Sequence, residues 1–105
     1  MQHRHWFLSC IGNTPLIRLR SPKGRRGAQV WCKLEFMNPS GSSKDRMCLA
    51  IVESLESRDL LRRGDVLLEA SGGNTAISLA MIAAAKGYDL TLVMPDTVPP
   101  ERKRL

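Results

Sequence analysis

The chain has 105 residues, 43% of them hydrophobic, and carries 16 basic against 10 acidic side chains for a net charge of +6. A chain of this length buries roughly two-thirds of its unfolded surface, which suits one globular domain at most. The basic residues are scattered, with few aromatic residues among them to stack on bases. The charge therefore favours anionic metabolites or a solvated surface over nucleic acid.

Cysteine and histidine usage also narrows the function classes. Cys10, Cys32 and Cys48 are too few and too scattered for a disulfide framework, which indicates a reducing compartment. His3 and His5 with Cys10 lack a fourth ligand at sensible spacing, so we expect no metal. Because the sequence shows neither a signal-peptide core nor eighteen consecutive apolar residues, we predict a soluble cytoplasmic protein without a membrane partner.

Two short strands open the predicted structure. The segment 15–19 alternates enough to form a strand, 21–27 is a polar turn, and 29–35 returns as a second strand. The short connection predicts that the two strands pair as an antiparallel ribbon.

The segment Asn38–Arg46, here called the lysine loop, carries Lys44 from a Pro-, Gly- and Ser-rich turn into a helix. Ser42 or Ser43 is expected to cap that helix. An ammonium is disfavoured at the positive end of a helix dipole, which is the bias that a nucleophilic amine needs. The alternative is that Lys44 is simply solvated or paired with Asp45.

Helical spacing predicts one buried face on the helix after Lys44, while Glu53, Glu56 and Arg58 face water. The expected buried positions are Met47, Ala50, Ile51, Ser54 and Leu55.

The second half of the chain predicts alternating strands and helices. Residues 66–69 form a buried parallel strand, 74–86 an apolar helix ended by Gly87, 90–94 a strand, and a further helix opens at 99–102. This order is that of a doubly wound α/β sheet.

The segment Ser71–Thr75, here called the glycine loop, lies between a predicted strand and a predicted helix. Strand, glycine-rich loop and helix form the arrangement in which free backbone N–H groups meet an anion. From this pattern alone the loop would bind phosphate. With the amine of Lys44 near a neighbouring strand end, it suggests a site for a charged carbonyl compound such as pyridoxal phosphate.

Five segments, in order, resemble the cysteine synthase family of fold-type II pyridoxal phosphate enzymes. They are Ile11-Gly12-Asn13-Thr14-Pro15-Leu16, Lys33-Leu34-Glu35, the lysine loop, Glu69 through the glycine loop, and Met94-Pro95-Asp96. Lys44-Asp45-Arg46 and Met94-Pro95-Asp96 are most similar to B-type cysteine synthases, also called O-acetylserine sulfhydrylase B. The resemblance runs from Ile11 to Leu105 and covers only the N-terminal third of a full member.

The resemblance implies a partial doubly wound α/β sheet like that of the tryptophan synthase β-subunit, with residues 1–105 as the truncated N-terminal part of the cysteine synthase domain. It implies that Lys44 binds pyridoxal 5'-phosphate covalently and shuttles the substrate α-proton. Asn74 would bind the cofactor's ring hydroxyl oxygen. Ser71, Gly73, Asn74 and Thr75 would bind the substrate, with the loop gripping its carboxylate rather than a phosphate.

The implied reaction is a β-replacement on O-acetylserine, or a related activated serine, with sulfide or thiosulfate as the sulfur donor. Full-length members are expected to be homodimers with amino-acid substrates. This sequence has Gly72 and Ala76 where the family usually has serine and glycine. The family's cofactor-phosphate loop lies beyond Leu105, so whether this chain is an enzyme by itself stays open. The alternative is a non-catalytic remnant or interaction module that associates with a full-length homologue.

Overall fold

A computed structural model describes residues 6–20 and 28–105 of the chain. The predicted turn over 21–27, together with His3 and His5, lies outside those residues. The strands and helices are β1 Leu16–Arg18, β2 Trp31–Lys33, α1 Lys44–Ser57, β3 Val66–Ala70, α2 Asn74–Lys86, β4 Asp89–Val93 and α3 Pro100–Lys103. Short 3-10 turns cover Trp6–Cys10 and Glu35–Met37.

Strands β1 and β2 form the predicted antiparallel ribbon, with Ile17 opposite Cys32. The second strand is shorter than expected because the chain turns into a 3-10 helix at Glu35. Strands β3 and β4 pair in parallel, with Leu68 opposite Thr91, and α2 provides the crossover between them. This βαβ unit is the part of the doubly wound α/β sheet that the described residues contain.

Helix α2 has the predicted bounds, and its apolar, Ala-rich sequence explains why it packs on several sides. It ends where Gly87 adopts a left-handed conformation (φ +81°) and donates its N–H to the Ala83 carbonyl at 2.8 Å. Such a C-terminal bond satisfies a carbonyl that would otherwise lack a partner.

The core lies between α1, α2 and the turn that precedes β1. Its buried members are Leu8, Cys48, Val52, Leu61 and Ile82. The face predicted for α1 is wrong, because Met47 and Ile51 are exposed and the buried positions are Asp45, Cys48 and Val52. Glu53 and Arg58 do face water, whereas Glu56 is half-buried and binds Lys86 and Tyr88.

Helix α2 packs on one face of the β3–β4 pair, and within the described residues the other face is open. Strand β3 is not a buried strand as predicted, because Val66 and Leu68 are 58% and 71% exposed. Val93 on β4, opposite Ala70, is exposed on the same face. The radius of gyration is 17.3 Å, against about 13 Å expected for a compact domain of this length. The fold is therefore an open one.

The described segments contain neither a membrane-spanning helix nor a cluster of metal-ligating side chains. No helix in residues 6–20 and 28–105 is long and apolar enough to cross a membrane. In the same segments, no three His, Cys, Asp or Glu side chains come together as candidate metal ligands.

Candidate functional site

Lys44 is the first residue of α1, and its side chain is exposed. The backbone N–H of Lys44 donates to the Ser42 hydroxyl at 3.2 Å, as expected for one of the two candidate caps. Ser43, the other candidate, makes no side-chain capping bond to the described residues. The alternative prediction that Lys44 pairs with Asp45 is wrong, because the Asp45 carboxylate points into the protein and binds Ser40 and Ser78. The amine thus lies free of its neighbour at the start of the helix.

Asp45 is fully buried and forms the centre of a hydrogen-bond network. Its Oδ2 accepts the backbone N–H of Ser40 at 2.8 Å. Its Oδ1 accepts the hydroxyl of Ser78 at 2.5 Å and the hydroxyl of Ser40. A carboxylate is tolerated in the interior only with such partners. The network therefore joins the lysine loop to helix α2.

Glu35 is the centre of a second network on the other side of the lysine loop. Arg46 donates to both carboxylate oxygens, from Nε at 2.9 Å and from Nη2 at 3.1 Å. The Thr14 hydroxyl also donates to this carboxylate, at 2.6 Å. The Arg46 bonds first, and then the Thr14 bond, lower the pKa of Glu35 from 4.5 to about 2. The ionised carboxylate is thereby the form that fits this place.

Asn38 connects this network to the turn that contains Gly12. Its Nδ2 donates to Glu35 Oε2 at 2.9 Å, and its Oδ1 accepts the Gly12 N–H at 2.8 Å. Gly12 has a φ of +89°, and a Cβ there would lie 2.9 Å from Nη1 of Arg46. Only glycine fits both the backbone conformation and the close guanidinium. Three separate sequence motifs therefore meet in one contact.

The glycine loop leads into α2. Ser71 Oγ accepts the Gly73 N–H at 3.2 Å, and α2 begins at Asn74, which is exposed. None of the described side chains caps this helix at Gly73. The first N–H groups of a helix have no intrahelical acceptor, and with the helix dipole they favour an anion. Ser71, Gly73, Asn74 and Thr75 thus occupy a place suited to binding a carboxylate.

The two loops lie at the same end of the packed pair α1 and α2. Lys44 is next to Asp45, which binds Ser78, and Asn74 precedes Ser78 by one helical turn. Cys48 Sγ lies 3.8 Å from the Thr75 carbonyl oxygen, which confirms the close approach. Burial is the main cause of the raised pKa of the Cys48 thiol, with the charges of Asp45 and Glu69 adding to it. The thiol is therefore a packing group here.

A groove of about 150 Å³ adjoins the glycine loop on the side of β4 and α3. Gly72, Ala76, Met94 and Val98 line it together with Arg102 and other residues. A Cβ at Gly72 would lie 2.5 Å from Cγ2 of Val98. The absence of a side chain at position 72 is what allows Val98 to take this place.

The two carboxylate networks were not predicted from the sequence, although every residue in them except Ser78 lies in one of the five segments that resemble the cysteine synthase family. Glu35 and Asp45 carry charges, which ordinarily indicate solvated positions. The only local signal for Ser78 is its place one turn after Asn74. Its contact with Asp45 spans 33 residues of sequence and is visible only in the fold.

A family profile described as "Pyridoxal-phosphate dependent enzyme" matches residues 7–105. The chain belongs to this family. Its curated relatives include cysteine synthase B of Escherichia coli K12, which is 52% identical over 93 residues. That alignment covers 89% of this chain and 31% of the relative. A probable cysteine synthase of Bacillus subtilis is 52% identical over 95 residues, which are 90% of this chain and 30% of the relative. The chain thus spans about a third of the length of these relatives.

Solved members of the family share the fold of this chain. Cysteine synthase from Entamoeba histolytica superimposes with a TM-score of 0.85 at 35% identity, covering 93% of this chain and 30% of that one. O-ureido-L-serine synthase gives a TM-score of 0.84 at 43% identity, covering 93% and 31%. The predicted family and fold class, the N-terminal portion of a fold-type II pyridoxal phosphate enzyme, are confirmed.

Proposed function

We propose that this chain supplies the lysine side of a cysteine synthase-like active site that performs β-replacement on O-acetylserine or a related activated serine, with sulfide or thiosulfate as donor. The observation that carries the proposal is the placement of Lys44 and the glycine loop at one end of the α1–α2 pair. Cysteine synthases are among the relatives and solved neighbours, which supports this reaction class.

The residues present fit the side of pyridoxal phosphate that reacts. Lys44 offers an exposed amine that no carboxylate of the described residues pairs with, and Asn74 offers an exposed amide at the same end of the helix pair. Lys44 would hold the cofactor covalently, and Asn74 would bind its ring hydroxyl oxygen. When bound, pyridoxal phosphate supplies an electron sink for the electrons that the Cα–H bond releases.

The chain's own residues would then divide the work on the substrate. The N–H groups at the start of α2, with Ser71 and Thr75, would hold the substrate carboxylate and orient its Cα. The Lys44 amine would take the proton from Cα and later return it. Gly72 provides no hydroxyl to the carboxylate, so binding there depends more heavily on the backbone donors.

We propose an amino-acid substrate, homodimers as in full-length family members, and a cytoplasmic location. The last is supported by Cys10, Cys32 and Cys48, which are all free thiols.

A direct test is to incubate the protein with pyridoxal phosphate, reduce with borohydride, and locate the adduct by peptide mass spectrometry. We expect selective labelling of Lys44, with the other lysines of the chain as internal references. The Lys44→Ala variant should lose that adduct and keep the background labelling. Labelling spread evenly over the lysines, or none, would contradict the proposal.

The bare face of the β3–β4 pair favours a second candidate, a module that associates with a full-length homologue. Val66, Leu68 and Val93 are exposed on this face together with the polar Asp89 and Thr91, and among the described residues the outer edges of both strands are unpaired. Such surfaces favour association. Sedimentation of the protein alone and mixed with a relative such as cysteine synthase B tests this. A protein that sediments as a monomer both alone and in the mixture would exclude this second candidate.

A further inference from the structure

One buried network joins the two loops of the proposed site. The Ser78 hydroxyl on α2 donates to Asp45 Oδ1 at 2.5 Å and lies 3.0 Å from the Ser40 hydroxyl. Asp45 and Ser78 are both fully buried. The network therefore links the lysine loop to the helix that carries the glycine loop, in a place shielded from water.

The link between Asp45 and Ser78 lies between residues of the two loops. On one side Asp45 is covalently next to Lys44. On the other side, Ser78 lies one helical turn after Asn74, on the same face of α2. A change in the Asp45–Ser78 contact therefore acts on the backbone that carries Lys44 and on its placement relative to the glycine loop.

The other contacts between α1 and α2 fix this placement less firmly. Val52 and Ile82 pack by apolar contact, which is non-directional and tolerates sliding. The ion pair of Lys86 with Glu56, at 2.7 Å, is directional but lies at the opposite end of α2. Within the described residues, the bonds at the site end are those of Ser78 with Asp45 and Ser40 and a weaker bond from the Cys48 thiol to the Thr75 carbonyl oxygen at 3.8 Å, and the bond to the charged Asp45 is the strongest of them.

We propose that Asp45 and Ser78 are positioning residues, which hold the lysine loop and the glycine loop in register so that one substrate molecule can meet both. This inference rests on the proposed function, because it concerns the same site. It goes further by assigning a role to two residues that do not touch the substrate.

Hydrogen–deuterium exchange tests the register directly. In Ser78→Ala, we expect the amides of residues 40–45 and 71–76 to exchange about tenfold faster or more, as for the loss of a bond to a charged group. The matched control is Lys86→Met, which breaks the link at the other end of the same helix pair. It should leave both loops unchanged. Equal effects of the two variants on the loops, or no effect of Ser78→Ala, would overturn the inference.

A second measurement asks whether the two loops act on one ligand. Lactate carries a carboxylate but no amine that could react with pyridoxal phosphate. In the unmodified protein we expect lactate to change the rate of Lys44 labelling by about fivefold, as for a typical coupling between sites. In Ser78→Ala, Lys44 should still be labelled but should no longer respond to lactate. An Asp45→Asn variant keeps the shape of the side chain and can keep its hydrogen bonds. Its Lys44 labelling should therefore retain part of the response to lactate.

The two measurements separate the failure of the inference from that of the proposed function. Unselective labelling in the unmodified protein overturns the proposed function, and the exchange data still decide whether the network holds the loops. Selective labelling with an equal lactate response in both proteins overturns the inference alone.

Discussion

The lysine loop and the glycine loop lie at the same end of one helix pair, yet they are held in different ways. Two carboxylates hold the lysine loop, that of Glu35 through Asn38 and Arg46, and that of Asp45 within the loop through Ser40 and Ser78. Among the described residues, the side chains of the glycine loop contribute one hydrogen bond, from Gly73 N–H to Ser71 Oγ.

This difference in hydrogen bonding matches the proposed role of each loop. A reactive amine works only if its position is fixed beforehand, because misplacement slows the reaction. A loop that binds a carboxylate must keep its donors free for the ligand. The side-chain hydrogen bonds therefore hold the lysine loop, whereas the donors of the glycine loop remain available for a ligand.

The largest expected effect comes from removing the buried carboxylate of the lysine loop. Asp45→Ala leaves the backbone N–H of Ser40 and one of the two serine hydroxyls without an acceptor in the interior, which should cost about 3 kcal/mol of unfolding free energy. Urea unfolding measures this. The exposed Asp96→Ala is the control, with an expected change below about 0.5 kcal/mol. Similar losses in the two variants would show that the comparison of the loops is wrong.

The second expected effect is a dependence on pH. The folded pKa of Glu35, about 2, is below its ordinary value of 4.5, so the ionised carboxylate stabilises the fold above pH 4.5. This stabilisation should be lost as the pH falls from 4.5 towards 2. Urea midpoints measured over this range for the protein and for Glu35→Gln give the contribution by difference. If the two curves stay parallel, Glu35 does not hold the lysine loop through its charge.

A smaller effect is expected at Gly72. A serine there would force Val98 to move, since the new Cβ would lie 2.5 Å from its Cγ2, and overpacking of this kind costs about 1 kcal/mol or more. The double variant Gly72→Ser with Val98→Ala should recover most of the loss and bind carboxylates more tightly. A mutant cycle with Val98→Ala alone measures the coupling. Additive effects would mean that the two residues do not compete for space.

The smallest effect on stability is expected for Ser71→Ala. The bond that it removes is between neutral groups in a partly exposed loop, where water can replace it, so the loss should be below about 0.5 kcal/mol. Binding of lactate should weaken nonetheless, because a hydroxyl of the glycine loop is removed. A stability loss as large as that of Asp45→Ala would contradict the distinction drawn between the loops.

The sequence allowed α2 to be predicted with its exact bounds, because the helix has a strong local signal and Gly87 marks its end. The resemblance to the cysteine synthase family indicated Lys44 and the residues of the glycine loop as candidate site residues. The buried face of α1 could not be predicted, because hydrophobicity favours Met47 and Ile51 while the fold buries Asp45. That burial depends on Ser78, which is brought near only when the two helices pack.

The open face of the β3–β4 pair has a consequence during synthesis on the ribosome. Strand β3, helix α2 and strand β4 are contiguous, so this unit can fold once Val93 has left the exit tunnel. From that moment the aliphatic side chains of Val66, Leu68 and Val93 are exposed to the surroundings. The nascent chain should therefore be a substrate for chaperones that recognise exposed aliphatic side chains, until another layer of protein covers that face.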